Sequence, residues 1–230
     1  MFYQPGITAH GLPHDPFKSC VVPRPIGWIS TRSVQGVDNL APYSQFTNVS
    51  FDPAMVMFSS NQTTDGRRKD TVTNAEQTGV FIWNMATWGL REQVNVSAEE
   101  LPPWEDEFIR TGLLKSPGVI VAASRVAASP VQFECEYMQT VRLPGNGPMG
   151  TVDVVFGRVV GVHIADSALT EGGKVDVLKL RPLARMGYFE YTSVESSFEM
   201  VIPGSSKLLA GLEGSALKNS GSVADGAMLP

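Results

Sequence analysis

The sequence predicts a mainly β fold, a barrel of antiparallel strands accompanied by a few helices. From residue 131 onward, segments rich in β-branched and aromatic residues are bounded by glycine and proline, a pattern typical of strands. Three more short strands are predicted between residues 23 and 59. Several antiparallel strands with few helices favour a barrel, because closing the sheet removes its unpaired edges.

The length and composition indicate one folded domain with a segment added at each end. A chain of 230 residues with 43% hydrophobic residues can bury a full core, and we expect the domain to cover residues 23–200. Residues 1–22 contain proline and glycine breaks without periodicity, which predicts an extended N-terminal arm. Residues 201–230 are rich in glycine, serine and alanine and bury too little apolar surface to offset their ordering entropy, so a flexible tail is expected.

Charge and cysteine content exclude several classes of protein. The net charge of -5 argues against nucleic acid or an anionic membrane as the main partner. Two cysteines, Cys20 and Cys135, are too few for a disulfide framework and indicate reduced thiols. No secretory signal is visible at the N-terminus, and no apolar run approaches the roughly 20 residues needed to cross a bilayer. We therefore expect a cytoplasmic protein.

No metal site is predicted. His10 and His14 lie in the N-terminal arm, but no carboxylate or third ligand stands at a suitable spacing beside them. Histidines exposed in a loop are the better interpretation of this pair.

The first strands are predicted at residues 26–31, 40–48 and 55–59, with turns between them. Pro42 removes a backbone donor, so part of the second strand is expected at an edge or a bulge. Two interpretations of this proline remain open and comparable. It marks a plain edge strand, or it leaves backbone groups of the strand free to face a ligand.

The next elements alternate helix and strand. A helix is predicted to start at a cap, Asp70 or Thr71, and to end at Gly79. Residues 80–84 read as a buried strand, and apolar residues spaced by four predict a second helix over residues 88–98.

Three strands are predicted in the second half, at residues 131–143, 151–164 and 175–180, with the first two joined as a long hairpin. In the second of them, the alternation of side chains places Gly161 and His163 on the face opposite to Val160, Val162 and Ile164.

Four motifs follow one another in the first third of the domain. They are Arg-Pro-Ile-Gly-Trp-Ile-Ser-Thr at residues 24–31, Asn-Leu-Ala-Pro-Tyr-Ser-Gln-Phe at 39–46, Ser-Phe-Asp-Pro-Ala-Met-Val-Met-Phe-Ser at 50–59 and Arg-Lys-Asp-Thr at 68–71. In this order and spacing they resemble the flavin reductase-like family of FMN-binding split barrels, and the similarity runs from about residue 23 to residue 191. The resemblance implies the split-barrel fold and FMN as the cofactor.

The resemblance also implies which residues bind the flavin. The ring would lie along the strand that carries Asn39, Leu40, Ala41, Pro42, Tyr43 and Ser44, with Ser30 and Thr31 beside it. Ser59, Ser60 and Asn61 would bind the ribityl hydroxyls or the phosphate. Arg67, Lys69 and Thr71 would hold the phosphate at the start of a helix, where free N–H groups and the helix dipole favour an anion. The alternative for the basic run is a solvated surface with Asp70 as a helix cap.

His163 is the candidate catalytic residue. If its face of the strand lines the flavin pocket, His163 orients a nicotinamide or a substrate, or donates a proton. A structural histidine with satisfied hydrogen bonds is the alternative.

The function implied by the resemblance is an oxidoreductase in which FMN accepts a hydride from NADH or NADPH. The reduced flavin would pass electrons onward or leave for a partner monooxygenase, and the cofactor would supply the chemistry without a catalytic triad. The family also implies a homodimer with the flavin site beside the subunit interface. The competing interpretation is a flavin-binding module, or a flavoenzyme with a different electron donor and substrate.

Overall fold

The computed structural model describes residues 1–200, and Met1–Ser196 forms one compact unit. The N-terminal arm is part of that unit and is not extended throughout, because a turn of 3-10 helix occupies Phe17–Cys20. Residues 197–200 fall outside the compact unit and contain no helix or strand. The tail predicted for residues 201–230 lies outside the described residues.

The described chain contains twelve strands and four α-helices. The strands are β1 Arg24–Pro25, β2 Gly27–Arg32, β3 Asp38–Tyr43, β4 Phe46–Phe51, β5 Ala54–Asn61, β6 Val80–Asn84, β7 Lys115–Pro117, β8 Ser124–Val126, β9 Val131–Leu143, β10 Val152–Ile164, β11 Leu183–Gly187 and β12 Glu190–Ser193. The helices are α1 Asp70–Thr78, α2 Arg91–Val96, α3 Glu107–Thr111 and α4 Val177–Leu180.

One antiparallel sheet of seven strands organises the fold, in the order β3-β2-β6-β9-β10-β5-β4. A second sheet has the order β1-β11-β12, and β7 pairs with β8 alone. The long strands β9 and β10 form the predicted hairpin and pair over most of their length. These pairings confirm the prediction of a mainly β, antiparallel fold.

The core lies on both faces of the large sheet because side chains alternate along each strand. Ile29 of β2 packs into a cluster with Phe58 and Phe81. Its neighbour Trp28 points to the opposite face, where it packs with Leu40 and other apolar side chains. Burial on both faces explains why β2 is almost continuously apolar in the sequence.

Several predicted boundaries were accurate and two assignments were wrong. The strand predicted at residues 80–84 is confirmed as β6, and the one at 131–143 as β9. The single strand predicted at residues 40–48 is instead two strands, since β3 pairs with β2 whereas β4 pairs with β5. The strand predicted at 175–180 is also wrong. The carboxylate of Asp176 accepts the N–H of Lys179 there and caps the short helix α4.

The second predicted helix is shorter than expected, and one predicted strand face is altered. Residues 88–98 form a 3-10 turn at Trp88–Leu90 and then the six-residue helix α2. In β10 the register shifts between Val159 and Gly161, which displaces Val160 from the face expected for it. Val160 instead packs against the cluster of Ile82, Val121 and Ala123.

Candidate functional site

A cavity of about 240 Å³ lies against the edge strand β3. Four segments form its walls: β3 itself, the loop leading into α1, the residues after α2, and the first residue of α3. The lining includes Asn39, Ala41, Pro42, Tyr43, Thr63, Arg67, Arg68, Lys69, Asp70, Thr71, Glu100 and Glu107. The structure thus brings together seven of the fourteen residues that were predicted to bind the cofactor.

The N-terminus of α1 opens onto this cavity. The helix begins at Asp70, and Lys69 occupies the cap position with extended backbone angles. The expectation that Asp70 or Thr71 caps the helix is therefore wrong by one or two positions, and no side chain caps it. An uncapped helix N-terminus presents free N–H groups and the positive end of the helix dipole, a combination that favours an anion.

Two of the three consecutive cations are held only by exposed ion pairs. Arg67 Nε lies 2.7 Å from Asp65 Oδ2, and Lys69 Nζ lies 2.5 Å from Glu100 Oε1. Exposed ion pairs of this kind contribute about 0–1 kcal/mol, because solvent screens the charges and ordering two long side chains costs entropy. A bound anion can therefore replace Asp65 and Glu100 at little cost.

Arg68 differs from its neighbours. Its two terminal nitrogens each lie 2.6 Å from the carboxylate of Glu76, and its Nε lies 3.0 Å from Asp153, a buried residue of β10. This fork of bonds to two carboxylates fixes the side chain and joins α1 to the sheet. The geometry supports leaving Arg68 out of the predicted phosphate set.

A chain of hydrogen bonds crosses the floor of the cavity. Asn39 donates from Nδ2 to both carboxylate oxygens of Glu107, at 3.1 and 3.2 Å. Its Oδ1 accepts the Thr71 hydroxyl at 2.6 Å. Burial raises the pKa of Tyr43 to about 12, although hydrogen bonds with Thr71 and Ser60 oppose that shift. Asn39 and Thr71 are therefore fixed before any ligand arrives.

Glu107 closes the outer side of β3. Its Oε2 accepts the N–H of Leu40 at 2.9 Å, so this amide does not pair with β2. Positions two apart on an antiparallel edge face the same way, and Pro42 has no N–H to offer. Burial raises the pKa of Glu107, while the bond from the Leu40 amide lowers it in part. On this stretch of the edge, Leu40 and Pro42 can offer a ligand carbonyl acceptors only.

The other predicted cofactor ligands lie outside this cavity. The Ser30 hydroxyl is buried and donates to the Ser124 carbonyl at 2.6 Å, and Thr31 Oγ1 accepts a bond from Asn74. The side chain of Leu40 is fully buried in the core. Ser59, Ser60 and Asn61 are on β5, and Asn61 Nδ2 donates to the Met149 carbonyl at 2.5 Å. Ser44 lines a second cavity beyond the end of β3.

The structure does not bring His163 to this site. Its Nε2 lies 2.5 Å from Oε1 of Glu134, a carboxylate that is fully buried on β9. The same carboxylate accepts the N–H groups of Val119, Ile120 and Val121 at 2.7–2.8 Å. His163 thus helps to hold the loop at residues 119–121 against the sheet, which is the geometry of the structural alternative and not of the catalytic one.

Sequence reasoning missed Glu100 and Glu107 as residues of the site. Glu107 stands 68 positions from Asn39, and no local pattern connects the two. Burial also raises the pKa of Asp70, although Arg67 and Lys69 lower it in part. The one available signal was the acidic run at residues 105–107, which predicts only a helix start.

Residues 1–200 contain neither a candidate metal site nor a candidate membrane-spanning helix. No group of three or more histidine, cysteine, aspartate or glutamate side chains is placed to hold a metal ion there. Within the same range, every helix is too short or too polar to span a membrane.

Comparison with known families places most of the chain in one of them. The profile of the flavin reductase like domain matches residues 19–187. An uncharacterized protein of Aquifex aeolicus is 36% identical over 167 residues, covering 73% of this chain and 82% of that protein. One from Halalkalibacterium halodurans is 33% identical over 183 residues, covering 80% and 87%.

Solved structures show the same fold. Nitrilotriacetate monooxygenase component B from Bacillus cereus has a TM-score of 0.79 at 26% identity, over 87% of this chain and 98% of that one. Flavoredoxin of Desulfovibrio vulgaris has a TM-score of 0.69 at 18% identity, over 89% and 100%. A protein described as a putative flavin reductase with a split barrel domain, from Shewanella frigidimarina, has a TM-score of 0.71 at 22% identity, over 81% and 89%. These likenesses confirm the predicted split barrel.

Proposed function

We propose, because the chain belongs to the flavin reductase-like domain family, that it binds FMN and reduces it with NADH or NADPH. The observation that carries this proposal is the uncapped N-terminus of α1, which opens between Lys69 and Arg67 onto a cavity along β3. Two kinds of phosphate donor meet there, backbone N–H groups and two exchangeable cations, while the Thr71 hydroxyl is held beside them by its hydrogen bond to Asn39. This donor set fits the terminal phosphate of FMN.

The size of the cavity supports a particular orientation of the cofactor. Pockets for whole ligands of this kind usually hold about 300–1,000 Å³, whereas this cavity holds about 240 Å³. It therefore suits the phosphate and ribityl portion, and the ring would continue along β3 toward Ser44. FMN is preferred over FAD because the donors at this end of the cavity suit a terminal phosphate, which FMN carries.

When bound, FMN supplies the hydride-accepting chemistry, and the protein supplies position and electrostatics. Lys69 and Arg67 exchange their carboxylate partners for the phosphate. Asn39, held by Glu107 and Thr71, keeps the cavity floor in place. The carbonyl groups of Leu40 and Pro42 accept hydrogen bonds from the ligand edge along β3. His163 has no role in this scheme.

The likeness to nitrilotriacetate monooxygenase component B supports a partner in the same class. We infer that reduced flavin made by this chain serves a monooxygenase, in the cytoplasm, and that two copies of the chain associate. A two-fold dimer is the commonest arrangement for soluble oligomers. Light scattering of the flavin complex at micromolar concentration should give a dimer mass, and a monomer mass would contradict this part of the proposal.

The experiment that tests the function starts from the purified protein and its absorption spectrum. FMN titration should give saturable binding, and addition of NADH or NADPH without oxygen should bleach the bound flavin. Absence of FMN binding would overturn the cofactor proposal. Binding without bleaching by either nucleotide would leave a flavin-binding module or a flavoenzyme with another electron donor.

A further inference from the structure

A second cavity, of about 1,000 Å³, lies between the N-terminal arm and the β11–β12 hairpin. Tyr43, the last residue of β3, lines the first cavity, and the next residue, Ser44, lines the second. A flavin that extends along β3 from the α1 N-terminus would therefore direct its ring toward this second cavity. The cavity is large enough for another small molecule.

The wall of this cavity carries two arginines placed directly opposite each other. Arg24 of β1 and Arg185 of β11 are cross-strand partners in an antiparallel pair, so their side chains leave the same face. Like charges in this relation destabilise a sheet. Within residues 1–200 neither guanidinium has a carboxylate partner: Arg24 donates to the carbonyls of Lys18 and Val21, and Arg185 to Tyr188 and Tyr191.

The balance of charge in the cavity is positive. Lys18 adds a third cation without an acidic partner in the described chain, and Asp15 is the one acidic residue in the lining. The Asp15 carboxylate already accepts the Phe17 N–H at 2.9 Å. Three cations without a carboxylate partner among residues 1–200 line this cavity, in a chain whose net charge is -5, and such a cavity attracts anions.

Two polar groups in the same wall lack hydrogen-bond partners. Ser19 Oγ and Arg24 Nε are two of the three buried side-chain polar atoms without a partner in residues 1–200. Leaving such a group unpaired costs about 1–3 kcal/mol. Both residues line this cavity, so the unmet hydrogen-bonding capacity and the unpaired positive charge occur together.

Aromatic side chains complete the lining. Phe17 is 62% exposed and Phe189 is 95% exposed, at the tip of the hairpin. The residue before it, Tyr188, has a φ of 47°, a left-handed conformation that is strained for a large side chain. Exposed rings beside cations suit a planar molecule that carries a negative charge.

We propose that the second cavity binds a small planar anion, an aromatic molecule with a carboxylate or phosphate held between Arg24 and Arg185. This molecule is the reaction partner of the flavin, and that part of the inference rests on the proposed function. The positioning of the anion by the arginine pair does not depend on FMN, so the two proposals can fail separately.

The test uses benzoate and benzamide, which share a ring and differ in charge. Calorimetry on the flavin-free and the FMN-loaded protein should show benzoate binding at least about tenfold tighter than benzamide, as expected for a charge-assisted contact. Arg24→Gln and Arg185→Gln should each reduce that preference to about threefold or less. Arg185→Lys keeps the charge and should retain part of it. Phe189→Ala should weaken both ligands together, by about threefold or more.

Arg158→Gln is the matched control, because Arg158 is an exposed arginine paired with Glu136 on β9. It should leave the preference for benzoate unchanged. The proposal is overturned if wild type binds both probes equally, or if the preference survives in both glutamine variants. It is also overturned if these variants lose FMN affinity in step with benzoate, since the cavity would then hold the flavin phosphate.

Two sources of the anion are separated by competition. If NADH displaces benzoate, the cavity takes the phosphate-bearing nicotinamide cofactor. If benzoate is displaced by other aromatic carboxylates and not by NADH, the cavity takes the acceptor. Charge-selective binding of benzoate in a protein that binds no FMN would uphold the anion site and reject the flavin function.

Discussion

Two buried carboxylates, Glu107 and Glu134, show how the same side chain takes opposite roles in one fold. Glu107 lines the candidate flavin cavity and accepts one backbone N–H and one side-chain amide. Glu134 lies on β9 and accepts three backbone N–H groups in addition to its contact with His163. The pKa of Glu107 is raised, whereas that of Glu134 is lowered to about 2.

The difference teaches that hydrogen-bond donors and neighbouring charges together decide whether burial prevails, since the charge of Asp106 also raises the pKa of Glu107 whereas His163 lowers that of Glu134. Burial favours the neutral acid at both positions, and each donated N–H favours the carboxylate. Two donor groups at Glu107 do not overcome burial, so this carboxylate remains responsive to its surroundings. Four partners at Glu134 overcome it and fix the charge. A carboxylate like Glu107 suits a ligand site, whereas one like Glu134 suits a structural link between the loop at residues 119–121 and the sheet.

The largest expected effect on stability comes from removing the charge of Glu134. Glu134→Gln replaces an acceptor of three amides by a group that can accept with one oxygen only. The Val121 amide is buried and the other two are partly buried, and a buried amide left without a partner costs about 1–3 kcal/mol. The free energy of unfolding should therefore fall by about 3 kcal/mol in urea denaturation. Glu136→Gln, on the same strand but exposed, should change it by less than about 1 kcal/mol. Equal losses at the two positions would refute the distinction.

Acid titration should reveal the same contribution of Glu134 to stability. Burial opposes ionisation of Glu134, but the amides and His163 lower its pKa from 4.5 to about 2. A carboxyl whose pKa is lower in the folded state stabilises the fold above its unfolded pKa and loses that contribution as the pH falls. The stability advantage of wild type over Glu134→Gln should therefore shrink between about pH 4.5 and pH 2, by a total on the order of 3 kcal/mol. A difference that stays constant over this range would contradict the assignment.

Substitution of Lys69 in the candidate site is expected to change ligand affinity and not stability. Lys69→Ala removes a cation whose ion pair with Glu100 is exposed. FMN affinity should fall about tenfold, close to 1.4 kcal/mol, while riboflavin, which lacks the phosphate, should bind as before. Fluorescence titration with both flavins measures this, and Arg158→Ala serves as the control. Equal weakening of FMN and riboflavin would mean that the phosphate lies elsewhere.

Glu107→Gln, the substitution at the site that matches Glu134→Gln, should have a small effect on stability, of the opposite sign. Because the pKa of Glu107 is raised by burial, its charge is disfavoured in the folded state at neutral pH. Glu107→Gln keeps an acceptor for the Leu40 amide and removes that charge. Thermal unfolding at pH 7 should show a stability that is unchanged or slightly higher than that of wild type. A loss comparable with that of Glu134→Gln would remove the contrast between the two carboxylates.

His163 gives the smallest expected change. Its contact is with Glu134 and it lies outside the candidate cavity. Stopped-flow reduction of the FMN complex by NADH or NADPH should proceed within about twofold of wild type in His163→Ala, a difference below about 0.5 kcal/mol. A tenfold slower hydride transfer would restore the catalytic interpretation that the sequence first suggested.

Local sequence signals predicted most of the fold. Residues 80–83 are all apolar because β6 is buried on both faces, and Gly79 ends α1 in the left-handed conformation that glycine favours. The segment at residues 175–180 misled the prediction because its β-branched residues suggested a strand. The Asp176 cap, a contact with a backbone N–H three residues on, outweighed that propensity.

The candidate site was only partly accessible from the sequence. Its phosphate end, at residues 67–71, is one continuous segment and could be read directly from cations beside a helix start. The hydrogen bond of Asn39 with Glu107 and the cross-strand pairing of Arg24 with Arg185 join residues far apart in the chain. Nothing in the local pattern specifies which segments meet. Ser30 was predicted to bind the flavin, but its hydroxyl is buried and donates to the Ser124 carbonyl, a residue 94 positions away in the chain.

The edge of β3, where Glu107 occupies the Leu40 amide, has a consequence for the tendency of the protein to aggregate in a crowded solution. The seven-stranded sheet ends at β3, and an exposed edge strand is a template on which another chain can add by backbone pairing. At the middle of this edge, the Leu40 N–H is occupied by Glu107 and Pro42 has none. An incoming strand would find no donors there, so the arrangement that shapes the ligand cavity also protects the chain against aggregation through β3.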